Sequence, residues 1–308
     1  MTKEHIQEHF SLLQEEICTA LEQIDGTGRF CQDFWQRAGG GGGRTRIMQN
    51  GALIEKGGVN FSAVFGQPPA KMLEALRLPP ADFFATGLSI VLHPFNPMMP
   101  IIHMNVRYFE MTNGIWWFGG GIDLTPHYVV PEQAAWFHRQ LKVTCDRYDA
   151  HFYPRFKQWA DEYFYLRHRD ETRGIGGIFF DHLNTEQTGK TKEELFAFVK
   201  DVGWVFSPMY AYLAMLNRDL PFSERQQKWQ QIRRGRYVEF NLIWDKGTKF
   251  GLDTEGRIES ILMSLPPLAR WEYNFQPEPG SPEEQTLQLL KKGINWIEFS
   301  PLELSRIV

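Results

Sequence analysis

Apolar and polar residues alternate along the stretch IIHMNVRYFE, residues 101–110. One parity is polar and holds His103, Asn105 and Arg107, whereas the other is apolar. Because successive side chains of a strand point to opposite faces of a sheet, this pattern predicts a strand with a polar row on one face. An Asn-Gly pair separates it from a second apolar stretch, which predicts a β-hairpin. The pattern alone leaves open whether the row faces water, an ion-pair partner or a ligand.

A helical period runs through the first 25 residues. Apolar side chains recur there at steps of three and four, namely Ile6, Phe10, Leu13, Ile17, Leu21 and Ile24. Thr2 precedes this run as a typical N-cap, and Gly26 follows it as a typical helix end. The spacing therefore predicts an amphipathic helix that packs on the core.

Strand patterns cluster towards both ends of the chain, and helical patterns fill the middle. Strands are predicted at RTRIMQ, ALIEKG, VNFSAVFG, GLSIVLH and GIGGIFFD, and again at RYVEFNLIW, KFGL and RIESILMS. Helices are predicted over Glu132–Asp149, Phe152–Arg169, Glu193–Arg218 and Glu224–Arg233, and from Pro282 onwards. Strands and helices do not alternate, and no linker is evident. We therefore expect an α+β fold in which residues 1–308 form one domain, with a large, mainly antiparallel sheet flanked by helices on both faces.

The glycine run AGGGGG, residues 38–43, invites interpretation as a phosphate-binding loop. A P-loop needs GxxxxGK[ST], and a dinucleotide site needs a glycine loop between a strand and a helix. Here a strand and an Asn-Gly turn follow instead. The sequence favours a mobile loop, acting as a lid over a pocket, over a nucleotide site.

Charge and cysteine content narrow the function classes. The net charge is −4, from 33 basic and 37 acidic residues, which argues against nucleic-acid binding by bulk charge. No apolar run approaches the roughly 18–20 residues that span a bilayer, so no transmembrane segment is expected. The three cysteines form no CxxC, and the N-terminus has no signal-peptide pattern. These features predict a cytoplasmic protein.

Several residue types could carry chemistry, although spacing alone does not decide their roles. Arginines stand beside glycines and aromatic residues at Arg44, Arg46, Arg173, Arg233, Arg234, Arg236, Arg257 and Arg270. Guanidinium groups bind carboxylates bidentately, so this set suggests a bulky ligand with several carboxylates. Asp123 follows a glycine triplet, where a helix cap and a site carboxylate are both reasonable. The four histidines His93, His103, His138 and His168 match no metal-binding spacing.

Taken together, six segments closely resemble the oxygen-dependent coproporphyrinogen III oxidase family. They are GGGGRTRIMQNGALIEKGGVNFSAVFG, SIVLHPFNP, HMNVRYFE, WWFGGGIDLTPHY, DEYFYLRHRDETRGIGGIFFDHLN and RRGRYVEFNLIWDKGTKFGLDTEGRIESILMSLPPLARWEY. The resemblance implies oxidative decarboxylation of the ring A and B propionates of coproporphyrinogen III to vinyl groups. It also implies dioxygen as co-substrate, no organic cofactor, and a homodimer. The family's TGGR reads TEGR here, with Glu255 as the difference.

The resemblance also implies individual roles. His103 would be the acid–base or proton-donating residue, and Asp123 would accept pyrrole N–H groups. Arg107 and Arg173 would each hold a propionate. The implied substrate-binding set is Ser89, Asn105, Val106, Arg107, Arg173, Glu255, Gly256 and Arg257. The segment from Tyr237 to Glu272 aligns with the family's dimerisation region.

Metal use differs among the members that the chain resembles. The positions of His93, His103, His138 and His168 align with proposed ligands of a divalent metal, such as manganese, in bacterial members. Others are described as metal-free, and metal-free chemistry is expected here. Two rival functions remain at this point. One is a non-enzymatic tetrapyrrole carrier, and the other is an iron-dependent oxygenase with a His93, His103 and Asp123 triad.

Overall fold

A seven-stranded antiparallel sheet organises the computed structural model, which describes residues 1–253 and 256–299. The strands are β1 (Cys31–Gln36), β2 (Gly41–Gln49), β3 (Ile54–Gly66), β4 (Phe83–Pro94), β5 (Ile101–Met111), β6 (Trp116–Thr125) and β9 (Gly176–Leu183), with a separate short pair β7 (Tyr165–Leu166) and β8 (Glu171–Thr172). The helices are α1 (Lys3–Asp25), α2 (Ala70–Leu76), α3 (Pro131–Asp146), α4 (Phe152–Tyr163), α5 (Thr185–Thr188), α6 (Lys192–Trp204), α7 (Phe206–Asn217), α8 (Glu224–Glu239), a π-helical turn (Phe240–Trp244), α9 (Lys246–Asp253), α10 (Ile258–Leu262) and α11 (Pro282–Leu289).

The strands follow the order β1-β2-β3-β4-β5-β6-β9, and each adjacent pair is antiparallel. Six consecutive strands form a meander, and β9 joins it beside β6 after α3 and α4. The predicted β5–β6 hairpin is confirmed, as is the hairpin of β2 and β3. Asn50 turns the latter with a φ of 57°, a left-handed conformation that asparagine tolerates.

The predicted N-terminal helix is confirmed as α1. The Thr2 side chain accepts a hydrogen bond from the His5 backbone, and Gly26 ends the helix with a φ of 92°. The helix packs against β3 and β4, and five of its six predicted core positions are at most 2% exposed, whereas Ile24 is only partly buried. The helical period therefore sets which side of α1 meets the sheet.

The two faces of the sheet differ in character. On the face towards α1, Ile90, Met104 and Ile122 lie side by side on β4, β5 and β6 with no exposed surface. They belong to one core that includes side chains of α3, α6 and α7. Much of the opposite face carries small and polar side chains, with a cluster of Phe83, Phe109 and Trp117 at one end. Residues 240–253 and 256–264 cover only part of this face. Helices therefore flank both faces, and the α+β prediction is confirmed.

The two edges of the sheet are also unlike. Five of the six β1 residues are exposed, so this edge is open. At the other edge, α4 packs on β9 through Trp159 and Tyr163 against Phe179. Among the residues that the structure describes, no helix is both long and apolar enough to cross a membrane.

The three strands predicted between residues 236 and 264 are wrong. The segment forms the end of α8, the π-helical turn, α9 and α10. Tyr237, Phe240 and Asn241 are buried at helical spacing, whereas Leu242 and Ile243 are exposed. Because the sheet already has its strands, this segment packs across its face, and a helix satisfies its backbone hydrogen bonds internally.

Other boundaries shift for local reasons. The predicted helix Glu193–Arg218 is two helices that meet at Val205, and the predicted helix Phe152–Arg169 ends at Tyr163. The glycine run is only in part a loop, because Gly41–Gly43 lie in β2. A Cβ added at Gly41 would lie 2.2 Å from the Ala63 carbonyl oxygen, so close backbone approach explains the glycine there.

Candidate active site

A polar row crosses the sheet on the face opposite α1. The strand register places Thr45, Asn60, Ser89 and Asn105 next to one another on β2, β3, β4 and β5. Thr45 Oγ1 donates to Asn60 Oδ1 over 2.7 Å, which links the two strands through their side chains. Ser89 and Asn105 were predicted as site residues from the sequence, whereas Thr45 and Asn60 were not. The alternation in VNFSAVFG was the available signal, because it sets Asn60 and Ser62 on one parity.

His103 and Asp123 face each other across β5 and β6. They are direct cross-strand partners, and His103 Nδ1 lies 2.7 Å from Asp123 Oδ1. The Asp123 side chain is 2% exposed and the His103 side chain 20%, so the imidazole lies between a buried carboxylate and the open face. His103 Nε2 has no hydrogen-bond partner among the described residues. The carboxylate therefore fixes the ring and leaves Nε2 free for a ligand.

Arg173 holds the other side of Asp123. Its Nη2 donates to Asp123 Oδ2 over 2.8 Å, and its Nη1 donates to Asn241 Oδ1 over 2.9 Å. The side chain is only 3% exposed. Its guanidinium carbon lies 4.4–4.6 Å from three aromatic ring centroids, those of Phe164, Tyr237 and Phe240. The structure thus buries Arg173 behind Asp123, away from the open face, whereas the resemblance implied that it holds a propionate.

The buried pair sets the charge of the site. Burial acts to raise the pKa of Asp123, but the positive charge of Arg173 and the hydrogen bond from His103 outweigh it and lower that pKa. Burial likewise opposes the charge on Arg173, yet the Asp123 carboxylate raises the Arg173 pKa. Asp123 is therefore ionised at neutral pH, so it accepts hydrogen bonds and does not donate them.

Arg107 lies on the open part of the same face. Its Nη1 donates to Asn105 Oδ1 over 2.7 Å, and its Nη2 lies 3.1 Å from Asp181 Oδ1. The side chain is 34% exposed, and its guanidinium carbon lies 6.0 Å from the ring centroid of Phe179. A Cβ added at Gly119 would lie 2.6 Å from Arg107 Nε, so this glycine leaves room for the guanidinium. Arg107 is oriented by protein partners and accessible to an anion.

The remaining predicted substrate contacts are Val106 and the segment from Glu255 to Arg257. Val106 has no exposed surface and points into the core, because its parity in β5 is opposite to that of Arg107. Glu255 lies outside the described residues, whereas Gly256 and Arg257 lie within them. Arg257 pairs with Asp33 of β1 and donates to Ser260 Oγ over 3.3 Å.

The start of α10 lies over one end of the polar row. Ser260 Oγ is 3.0 Å from Thr45 Oγ1, and His93 Nε2 is 2.8 Å from the Ser264 carbonyl oxygen. Arg257 therefore approaches the row from the β1 side, whereas Arg107 lies on β5. The fold brings two guanidinium groups to the same face from segments 150 residues apart in the chain.

The four histidines do not form one metal site. His138 is fully buried in the core, where Nδ1 lies 3.0 Å from the Tyr153 hydroxyl and Nε2 lies 2.9 Å from the Ile175 carbonyl oxygen. His168 lies between Glu239 and Trp244. Within the described ranges, no group of three or more histidine, cysteine, aspartate or glutamate side chains is arranged to hold a metal ion. The described residues therefore do not bring together the alternative quartet of histidines. The iron triad is not supported either, since both Asp123 oxygens are already engaged.

Glu239, at the end of α8, ties the His168 turn to this helix. It accepts hydrogen bonds from His168, Arg169 and Trp271 over 2.7–2.9 Å. Burial acts to raise its pKa, but these hydrogen bonds together lower the pKa to about 2 from an ordinary value of 4.5. Since the folded-state pKa is the lower one, the network stabilises the fold fully above pH 4.5 and loses this effect as the pH falls towards 2.

Glu239→Gln is accordingly expected to lower the free energy of unfolding at neutral pH. It should also make that free energy less sensitive to pH than in the wild type between pH 4.5 and 2. Urea unfolding of both proteins at several pH values measures the two slopes. If the free energy of unfolding changed with pH equally in the two proteins, Glu239 would not be the group responsible for this pH dependence.

One known protein family matches most of the chain. A family model described as coproporphyrinogen III oxidase matches residues 5–296 of the 308-residue chain, which includes the whole sheet and every described candidate site residue. Its match also covers α8–α10, where the strand predictions were wrong. On the extent of this match, the chain belongs to the coproporphyrinogen III oxidase family.

Proposed function

We propose that this chain is an oxygen-dependent coproporphyrinogen III oxidase of haem biosynthesis, which acts as a homodimer in the cytoplasm. It would convert the ring A and ring B propionates of coproporphyrinogen III to vinyl groups and form protoporphyrinogen IX. The observation that carries the proposal is the His103–Asp123–Arg173 chain beside the accessible Arg107 on one face of the sheet. This arrangement combines an ionised carboxylate, an imidazole with a free nitrogen, and a carboxylate-binding guanidinium.

The overall reaction balances without an organic cofactor. Each propionate side chain loses carbon dioxide, two electrons and one proton from the carbon attached to the pyrrole ring, and a carbon–carbon double bond remains. The two electrons that the side chain loses reduce dioxygen to hydrogen peroxide. One of its two protons is the proton lost from the side chain, and His103 supplies the other. Dioxygen adds to the electron-rich pyrrole, the bound peroxide removes the carbon-bound proton, and carbon dioxide then departs.

The protein groups supply orientation and charge for these steps. Arg107 holds one propionate as a carboxylate through charge-assisted hydrogen bonds. Both Asp123 oxygens are engaged by His103 and Arg173, so this carboxylate acts through its negative charge, which stabilises positive charge that develops on the pyrrole ring. His103 Nε2 carries the proton that the departing peroxide takes up. Because Asp123 fixes Nδ1, the reactive nitrogen of the imidazole has a defined direction.

The proposal is tested by a chromatographic assay with the purified protein. Reduced coproporphyrinogen III is supplied in air, under nitrogen, and in air with a strong chelator, and the products are oxidised and separated as porphyrins. Protoporphyrin that forms only in air, with or without chelator, is the expected result. Absence of product in all three, with the protein folded and able to bind coproporphyrin III, would overturn the proposal in favour of a carrier.

The homodimer is supported by an apolar surface in the aligned segment. Six large apolar side chains are exposed there within the described residues, which is unusual for a surface in contact with water. They are Leu242, Ile243, Leu252, Ile258, Leu268 and Trp271. Burial of such side chains against a second copy would remove them from water.

Ile258→Glu combined with Leu268→Glu is expected to convert the dimer to monomer, because charges would have to be buried at the interface. The change is measured by light scattering after size-exclusion chromatography, against a chain mass of 35.9 kDa. Met215→Glu serves as the matched control, because Met215 is 68% exposed on α7, outside this segment. A wild-type monomer, or a double variant that stays dimeric, would exclude this surface as the interface.

A further inference from the structure

A row of small residues lies beside the polar row on the same face of the sheet. The register places Gly43, Ser62 and Gly87 next to one another on β2, β3 and β4, with Arg107 following on β5. All four are half-buried. Since facing residues of antiparallel strands share a face, the three small residues form a shallow trough that ends at Arg107.

Trp35 closes the other end of this trough. It pairs with Gly43 across β1 and β2, and a Cβ added at Gly43 would lie 2.4 Å from Trp35 Cζ2. The indole therefore lies directly over Gly43, where no other residue would leave it space. Its Nε1 donates to Thr45 Oγ1 over 3.2 Å, which orients the ring. The side chain is half-buried, so part of its aromatic surface remains available to a ligand.

The ends of the trough differ in chemistry. β1 and β5 are four strand spacings apart, which is about 19 Å. Arg107 offers a guanidinium at the β5 end, and Trp35 offers an aromatic surface at the β1 end, next to the Asp33–Arg257 pair. Between them, the Ser62 hydroxyl has no hydrogen-bond partner among the described residues. Such a surface suits a ligand with a flat electron-rich ring and carboxylate arms.

We propose that Trp35 stacks on a pyrrole ring of the substrate while Arg107 holds a propionate, and that Gly43, Ser62 and Gly87 form the floor that the substrate crosses. Trp35 and Ser62 are thus specificity-determining residues. This inference rests on the proposed function for the identity of the substrate. It assigns a binding role to strands β1 to β4, which carry none of the catalytic groups.

The test measures KM and kcat with coproporphyrinogen III, and Kd for the stable porphyrin coproporphyrin III. Trp35→Leu is expected to raise KM and Kd about 10-fold with little change in kcat, because stacking is lost. Trp35→Phe should restore most of the affinity. Ser62→Leu should raise KM and Kd at least as much, because the larger leucine side chain fills the trough. Trp204→Leu is the matched control, since Trp204 is 43% exposed on α6.

The outcomes separate this inference from the proposed function. One outcome is that the wild type turns over while both Trp35→Leu and Ser62→Leu keep KM and Kd within about twofold of the wild-type values. That outcome would overturn the trough and leave the oxidase intact. Trp35-dependent binding of coproporphyrin III without any turnover would overturn the oxidase and support the trough. If one variant fails to fold, as judged by its Tm, the other decides the inference. Absence of both binding and turnover in the wild type would overturn both.

Discussion

Asp123→Ala is expected to lower kcat/KM for coproporphyrinogen III by about 1,000-fold, chiefly through kcat. The substitution removes the carboxylate that fixes His103 Nδ1 and supplies the negative charge behind the imidazole. Steady-state kinetics with the purified variant measures the loss. A variant with near-normal kcat/KM would remove Asp123 from the catalytic assignment.

The control for this variant addresses folding. Asp123→Ala leaves Arg173 buried without its carboxylate, and breaking a buried ion pair in this way costs about 3–5 kcal/mol. Asp123→Ala combined with Arg173→Met removes both charges, so it is expected to recover much of that stability. It should not recover activity, because His103 still lacks its partner. Recovery of activity together with stability would mean that Asp123 acts only through the fold.

Arg107→Ala is expected to raise KM about 100-fold, because a charge-assisted bidentate contact with a propionate is lost. Arg107→Lys should recover only part of this loss, since an ammonium cannot reproduce the planar fork. The side chain is accessible and does not support the core, so the Tm should change little.

Arg147→Ala is the matched control for Arg107. Arg147 is also an arginine paired with one aspartate, Asp201, and its side chain is 62% exposed away from the polar row. Its removal should leave KM unchanged. If Arg107→Ala leaves KM within about threefold of wild type, the propionate contact lies elsewhere.

Residues of the site were recognised from the sequence to different extents. His103, Asn105 and Arg107 share one strand, so alternation was enough to place them on one face. The His103–Asp123 contact depends on the register of β5 and β6, which the Asn-Gly turn indicates only in outline. Asn241 and Asp181 were missed, because they reach Arg173 and Arg107 from distant segments.

The burial of Arg173 and His138 could not be predicted from the sequence. Both residue types suit a ligand site, and spacing gives no measure of burial. The fold places Arg173 beneath Asp123 and His138 in the core, where burial lowers its pKa to about 3 and keeps the ring neutral. Only packing against other elements separates a ligand-binding cation from a supporting one.

Local patterns in the sequence determined α1, the hairpins of the meander and the polar face of β5, because each depends on near neighbours in the chain. The tertiary structure alone decided the helical state of residues 237–253 and 258–262, where β-branched and aromatic residues pack across a completed sheet. It also decided which polar groups meet. His103 lies on β5, Asp123 on β6 and Arg173 between β8 and β9, and only the folded chain brings the three together. Outside that segment, local periodicity sets most of the secondary structure, whereas the candidate site depends on contacts between segments that are distant in the chain.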